Sequence, residues 1–146
     1  MDFTGKNGLF LLMILFIGTT AIVNAFLFSN KITGSVKYKR LPSPFIIACV
    51  WTVLIGFMAY SQWLVLQKTT KGSWKRWLIP LLFIFCVLYP FYTMGFQNKK
   101  MIFLANIITI LLSLSVALSI YTITRIGSFM IFMTTLWSSF ATYASL

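Results

Sequence analysis

Two tryptophans far from any charged residue are the side chains of this sequence best suited to binding chemistry. Trp51 lies in the uncharged stretch VWTVLIGFMAYSQWLVL, residues 50–66, and Trp137 lies in the uncharged stretch after Arg125. In a helix, a rise of about 1.5 Å per residue puts each indole roughly 10–12 Å inside its stretch. Each indole offers a flat apolar face for stacking and one N–H that needs an acceptor. We therefore expect each ring to point at another helix or into a cavity.

Acid–base and metal chemistry have almost no side chains to use. The sequence contains no His and one acidic residue, Asp2, which precedes the first apolar run. A carboxylate pair, a catalytic triad or a His-based metal site therefore cannot be built inside the apolar runs. Proton-coupled transporters usually place an ionisable residue inside the bilayer, and these runs contain none. Cys49 and Cys86 lie in apolar runs without a partner motif, and we interpret both as buried small hydrophobes. We expect no enzyme activity, no metal and no required cofactor.

The composition is that of an integral membrane protein. Hydrophobic residues make up 60% of the chain and charged residues 9%, with a mean hydropathy of +0.93. A soluble domain of this length needs more polar surface. The net charge of +11 is compatible with nucleic-acid binding, but the basic residues lie in short connections where they would meet anionic headgroups. No basic helix or aromatic–basic alternation supports a nucleic-acid partner. We therefore expect the lipid bilayer as the partner and no nucleic acid.

Five apolar runs are long enough, or nearly so, to cross a membrane as helices. They cover residues 9–28, 44–66, 77–94, 101–121 and 129–146. The prolines of LPSP suit the start of the second run, and Tyr89-Pro90 predicts a kink in the third. The sequence therefore predicts an all-α membrane protein, a five-transmembrane-helix bundle forming a single domain over residues 1–146.

The flanks of these runs leave the topology open. The tripeptide VNA, residues 23–25, resembles a signal-peptide cleavage site, and cleavage there would leave four helices. The weakly basic start of the chain argues against it, because Asp2 offsets Lys6. The twelve Lys and Arg residues divide equally between the two faces, so the positive-inside rule gives no orientation. One face would hold Lys6, Lys68, Lys71, Lys75, Arg76 and Arg125, and the other Lys31, Lys37, Lys39, Arg40, Lys99 and Lys100.

A helical wheel divides the second run into two faces. The small residues on one side predict close helix packing; they are Ala48, Thr52, Gly56 and Ala59. About 100° away, Trp51 lines up with Leu54, Ile55, Met58 and Gln62. In the fifth run, Trp137 shares a face with Met130, Met133, Thr134, Ala141 and Ala144. Two hypotheses remain open: the indoles line a flat apolar pocket, or they fill the core of the bundle, which periodicity alone favours.

The other polar and aromatic residues of the runs have simpler interpretations. Asn24 and Asn106 are amides inside apolar runs, and we expect them to form interhelical hydrogen bonds. Trp63, Trp74 and Trp77 lie near the ends of runs, where an indole is half in water and anchors a helix at the membrane surface.

The order and spacing of these motifs resemble the TspO/MBR family, the translocator proteins also called tryptophan-rich sensory proteins. VWTVLIGFMAYSQWLVLQK resembles the family's second-helix signature, approximately V-W-T-x-L-Y-x-x-M-G-x-A-S-x-L-V-W. LWSSFATYASL resembles the fifth-helix ending P-Y-x-x-W-x-x-F-A-T-x-L-N. YPFYTMG stands where the family has W-P-P-x-F-F-G, and LPSP where it has a proline pair. The resemblance extends over the whole layout of the chain.

The resemblance implies a five-helix bundle, usually a homodimer, with a pocket between helices for flat apolar ligands such as porphyrin, haem and sterols. By matched position, the second-helix wall would be Ala48, Val50 and Trp51, the third-helix wall Tyr89, and the fifth-helix wall Trp137 and Ala141. The chain departs from the family pattern at several positions. Met133-Thr134 replaces Pro-Tyr, Cys86 replaces an Asn, Ile55 replaces a Tyr, and Ala144-Ser145 replaces Leu-Asn. These departures bear on tetrapyrrole binding more than on the fold.

We therefore expect a membrane receptor or sensor that binds a planar apolar small molecule, a porphyrin or haem above all, with a sterol or another lipid as further candidates. The basic connection Lys31 to Arg40 would attract the propionates of a porphyrin or anionic lipid headgroups. Two alternatives stay open. One is a small transporter or permeation helper for apolar metabolites, and the other is a structural membrane subunit without a ligand.

Overall fold

The computed structural model describes residues 3–30, 38–93 and 97–146, and within these ranges the chain is helical without any strand. The prediction of an all-α fold is confirmed. The α-helices are α1 (Lys6–Ser29), α2 (Pro44–Lys68), α3 (Leu78–Val87), α4 (Tyr89–Tyr92), α5 (Lys99–Ile120) and α6 (Arg125–Ser145). A 3₁₀ turn, Trp74–Trp77, leads into α3.

Three helical segments of the described chain are long and apolar enough to cross a membrane: Lys6–Leu27, Pro44–Lys68 and Lys99–Ile120. They confirm the prediction of an integral membrane protein. α6 is 21 residues long but rich in Ser and Thr, and α3 has only 10 residues. Neither therefore reaches the combined length and hydropathy of the other three, and the five-span count stays a prediction.

Polar caps set where the helices begin. The side chain of Ser43 accepts a hydrogen bond from the N–H of Ile46 at 3.5 Å, with Pro44 in the first turn of α2. Asn98 Oδ1 accepts from the N–H of Met101 at 3.2 Å at the start of α5. Such caps satisfy backbone donors that have no partner inside the helix. α5 therefore begins at Lys99, before the apolar run that predicted it, and α6, capped by Thr124, likewise begins at Arg125, before its run.

The third apolar run, predicted as a span over residues 77–94 with a kink at Tyr89-Pro90, is not one continuous helix. α3 ends at Val87, and the short α4 begins at Tyr89. Pro90 has no N–H, so it cannot donate to the carbonyl of residue 86, and the helix breaks where the kink was predicted. Leu88 joins the two pieces with φ −80° and ψ −4°. The end of the predicted span, from residue 94, lies outside the described residues.

The helices pack side by side around one core. α1 lies on α2, α2 on α6, α6 on α5 and α5 on α3, and α3 returns to α2 and α1. The most extensive interface is between α5 and α6. The rings of Phe16 on α1 and Phe83 on α3 stack with centroids 4.2 Å apart. The largest fully buried apolar side chains are Met58, Ile79, Leu82, Ile120 and Ile131.

Hydrogen bonds and ring contacts identify the two ends of the bundle. At the amino end, Trp63 Nε1 donates to Gly5 O at 3.2 Å, which joins the start of α1 to the end of α2. At the opposite end, here called the connection end, the Arg40 guanidinium lies 5.4 Å from the centre of the Tyr143 ring near the end of α6. The connection that precedes α2 therefore reaches the carboxyl end of α6.

The small-residue face of α2 packs closely over only half of its length. Ala59 is fully buried, and a Cβ on Gly56 would lie 4.0 Å from Met13 Sδ of α1. Ala48 and Thr52 are exposed, so the packing prediction is wrong for the first half of the face. Cys49 is exposed beside them, contrary to the expectation of burial. A helical wheel gives the direction of a side chain but not the extent of the neighbouring helix, which explains both errors.

Candidate ligand site

Trp51 lies on α2, seven residues after Pro44, with its indole partly buried. Its ring packs against the hydrophobic core of the bundle. The rise of a helix puts it about 10 Å from the connection end. Trp51 is therefore in contact with the core, and part of its side chain stays accessible.

Trp137 occupies the matching position on α6, eight residues before Ser145, and is also partly buried. Its ring centroid lies 5.5 Å from that of Phe140 in a tilted arrangement. α6 packs directly on α2, and Trp137 lies about 12 Å from the connection end. The structure therefore brings the two indoles to similar depths on adjacent helices.

Tyr89 at the start of α4 bonds to α5. Its hydroxyl donates to Asn106 Oδ1 at 2.8 Å, and Asn106 is buried. The interhelical bond predicted for Asn106 is confirmed. Asn24, for which the same role was expected, is exposed on α1. The bond fixes the orientation of the Tyr89 ring relative to α5 at the broken part of the third run.

The remaining candidate residues differ in exposure. Ala48 is exposed near the start of α2, whereas Val50 beside Trp51 is partly buried. Ala141, one turn beyond Trp137, is partly buried, and its carbonyl accepts from Ser145 Oγ at 2.6 Å. Ala48 therefore lies on the outward half of the α2 face, apart from the residues that touch the core.

Hydroxyl groups between α5 and α6 were not identified as a group from the sequence. Ser113 Oγ and Thr135 Oγ1 lie 2.8 Å apart across the interface, and Ser128 Oγ donates to Ala117 O at 2.6 Å. Thr134 Oγ1 is buried and has no hydrogen-bond partner among the described residues. Small hydroxyl side chains allow close approach of membrane helices and bond across them. The recurrence of Ser and Thr in both runs was the available signal.

The described part of the connection before α2 carries positive charge to the connection end. Lys99 Nζ lies 5.9 Å from the centre of the Tyr38 ring, and Arg40 lies over Tyr143. Burial raises the pKa of Tyr38. Lys31 and Lys37, which belong to the predicted basic connection, lie outside the described residues. The end of the bundle nearest the two indoles is therefore cationic.

The two principal cavities lie away from the candidate residues. A cavity of about 340 Å³ is lined by Met13, Val53, Gly56, Phe57, Tyr60 and Met130, between α1, α2 and α6. A larger one of about 530 Å³ lies at the turn between α5 and α6. Neither is lined by Trp51, Tyr89 or Trp137. The candidate ligand site therefore consists of partly accessible aromatic rings and coincides with neither cavity.

Comparison with known protein families gives one result for nearly the whole chain. The model of the TspO/MBR family matches residues 9–146. No match was found among curated proteins. The matched range contains every residue of the candidate site.

Proposed function

Because the chain belongs to the TspO/MBR family, we propose that it is a membrane receptor or sensor that binds a flat hydrophobic ligand of the porphyrin type. Family membership supports a membrane role of the sensor or transporter kind. The family is in general a non-catalytic one. The proposal adds to this the class of ligand and the side chains that hold it.

The observation that carries the proposal is the placement of Trp51 and Trp137 on two adjacent helices, α2 and α6. Both indoles are partly accessible, and they lie at similar depths on helices that pack against each other. Stacking on an aromatic ring is worth about 0.5–1.5 kcal/mol beyond the burial of area. Two indoles therefore offer a planar apolar ligand roughly 1–3 kcal/mol of ring contact, before the gain from leaving water is added.

The surroundings of the two indoles suit a planar ligand with acidic substituents. By its position in the family pattern, Tyr89, whose hydroxyl donates to Asn106, would add a third aromatic ring. Arg40 and Lys99 lie at the end of the bundle nearest the indoles, where they would meet the propionates of a porphyrin. A charge-assisted hydrogen bond is roughly twice as strong as a neutral one. The site therefore combines apolar walls with a cationic rim.

The test is a titration of the full chain, in lipid nanodiscs, with protoporphyrin IX. Binding is followed by the porphyrin absorbance band and by tryptophan emission. Trp51→Phe and Trp137→Phe should each weaken binding, and the double variant several-fold, because the smaller Phe ring keeps only part of a stacking energy of about 0.5–1.5 kcal/mol per ring. The matched control is the double variant Trp74→Phe/Trp77→Phe, at exposed positions near the amino end, which should bind like the parent. Unchanged affinity in Trp51→Phe/Trp137→Phe would refute the site.

Flux measurements distinguish a receptor from a transporter. A receptor binds protoporphyrin IX without moving it across the membrane. Proteoliposomes that contain the protein should therefore release trapped porphyrin no faster than porphyrin-loaded liposomes without protein. Accelerated release that is lost in Trp51→Phe/Trp137→Phe would show that the same site serves passage across the membrane.

A further inference from the structure

The larger cavity of the structure lies at the amino end of the bundle, at the opposite end from the candidate ligand site. It has a volume of about 530 Å³ and lies between the end of α2 and the turn from α5 to α6. Lys68 and residues 121–126 line it. It is more open than enclosed, so a ligand there would be only partly covered by protein. Its two charged lining residues, Lys68 and Arg125, are both cations, so the cavity favours an anion.

No carboxylate side chain among the described residues can neutralise these charges, because the one acidic residue of the chain, Asp2, lies outside them. The Arg125 guanidinium lies 5.7 Å from the centre of the Tyr121 ring, a contact that orients it beside the cavity. Arg76, another cation of this end, is already engaged, since its guanidinium donates to Leu66 O at 3.0 Å. Lys68 and Arg125 are therefore the charges that the cavity presents.

Side chains, rather than the end of helix α6, would recognise the anion. The first turn of α6 is capped by Thr124, whose Oγ1 accepts from the N–H of Gly127 at 3.2 Å. That donor is consequently already satisfied inside the protein. Thr122 lines the cavity and is exposed, so its hydroxyl adds a neutral donor beside the two cations.

Apolar side chains continue from the cavity along the bundle. Leu118 on α5 is 67% exposed, and Ile126 and Phe129 on α6 are 60% and 62% exposed. These residues flank the turn that forms the cavity and lie on helices of the membrane-embedded bundle. A free phosphate ion gains nothing from such a surface, whereas a lipid with an anionic headgroup can lay its acyl chains on it.

We propose that this cavity binds the phosphate-bearing headgroup of an anionic phospholipid, with Lys68 and Arg125 as its counter-charges. The acyl chains lie along Leu118, Ile126 and Phe129. The inference is independent of the proposed ligand site, since the two share no residue. It assigns part of the large excess of basic residues to a specific lipid contact.

The experiment measures lipid binding to the purified full chain in detergent by native mass spectrometry. The probes are phosphatidylglycerol and zwitterionic phosphatidylcholine, with inorganic phosphate as a competitor. Phosphatidylglycerol should bind more tightly than phosphatidylcholine. The double variant Lys68→Gln/Arg125→Gln should weaken phosphatidylglycerol binding about thirty-fold, from the loss of two basic contacts to an anionic lipid.

The control Lys71→Gln/Lys75→Gln removes the same charge at the same end of the bundle, from residues that do not line the cavity, and should leave the affinity unchanged. Equal losses in the two double variants would overturn the proposal, because they would show general charge attraction. Equal binding of the two lipids, or displacement of the lipid by phosphate at comparable concentration, would overturn it as well. Circular dichroism verifies that each variant keeps its helix content. The single variants Lys68→Gln and Arg125→Gln should each lose part of the affinity for phosphatidylglycerol that the double variant loses.

Discussion

Replacing Thr134 by Val should stabilise the protein, whereas the same replacement of the next residue, Thr135, should destabilise it. Both side chains are buried on α6. Thr134 Oγ1 has no hydrogen-bond partner among the described residues, whereas Thr135 Oγ1 lies 2.8 Å from Ser113 Oγ on α5. Val exchanges the hydroxyl for a methyl group without opening a cavity. The two variants therefore isolate the effect of one buried hydroxyl with a partner and one without.

The magnitudes follow from the hydrogen bonds. A buried hydroxyl without a partner costs about 1–3 kcal/mol, so Thr134→Val should raise the free energy of unfolding by about 1 kcal/mol. A bond between membrane helices is worth about 0.6 kcal/mol on average and up to about 1.7 kcal/mol. Ser113 Oγ keeps its bond to Ile110 O at 3.2 Å in Thr135→Val, which limits the loss to about 1 kcal/mol. At about 2–4 °C per kcal/mol, the two melting temperatures should differ by about 4–8 °C.

Thermal unfolding of the purified protein in detergent, followed by circular dichroism, measures this difference. The control is Thr70→Val, at an exposed position between α2 and the 3₁₀ turn, which should leave the melting temperature nearly unchanged. If Thr134→Val lowers the melting temperature as much as Thr135→Val does, the Thr134 hydroxyl is bonded in the folded protein and the reasoning is wrong.

Three further predictions concern a hydrogen bond, a helix contact and the cysteines. Tyr89→Phe removes the donor to buried Asn106 and should cost about 1 kcal/mol of unfolding free energy, and the double variant with Asn106→Leu should cost less than the sum of the single changes. Additive costs in that cycle would show that the two side chains do not interact. Gly127→Ala places a Cβ 2.7 Å from Thr124 Cγ2, so it should disturb the cap of α6 and lower stability by about 1 kcal/mol. Gly18→Ala, with nothing within 4 Å of the new Cβ, should not lower stability, and an equal loss in both would contradict the contact. A membrane-permeant maleimide should label exposed Cys49 and spare buried Cys86 in the folded protein, and labelling that persists in Cys49→Ala would refute this burial.

The sequence predicts the helical fold well because long apolar runs have few alternatives in a bilayer. α2 begins at Pro44 as predicted and extends two residues beyond the run, to Lys68. The break before Tyr89 was predictable because a proline lacks a donor whatever its surroundings. α6 shows the limit of prediction from hydropathy. Its Ser and Thr residues reduce its hydropathy, although the helix packs against α5. Hydropathy does not distinguish a hydroxyl that faces lipid from one that bonds to another helix.

The sequence predicts the residue types of the candidate site and their depth in the bundle, but not the direction in which their side chains point. Trp51 and Trp137 follow from their distance to the helix ends, and the structure brings their helices together. Ala48 and Cys49 belong to the side of α2 that was expected to be buried, yet both are exposed, because neighbouring helices cover only part of α2. The bond between Tyr89 and Asn106 depends on the break in the third run and on the packing of α5. Such geometry depends on several elements at once, so one periodic pattern does not specify it.

Partial burial of the two indoles makes the ligand hypothesis separable from the hypothesis of a purely structural subunit. If the indoles only filled the core, Trp51→Phe and Trp137→Phe would cost stability in the way that truncation of a core side chain does. Leu82 is fully buried, and Leu82→Ala should cost about 2–5 kcal/mol. The tryptophan variants keep an aromatic ring at partly accessible positions, so their cost should be well below that of Leu82→Ala, while their affinity for protoporphyrin IX falls. A large loss of stability in the tryptophan variants with unchanged porphyrin affinity would instead identify the indoles as core residues.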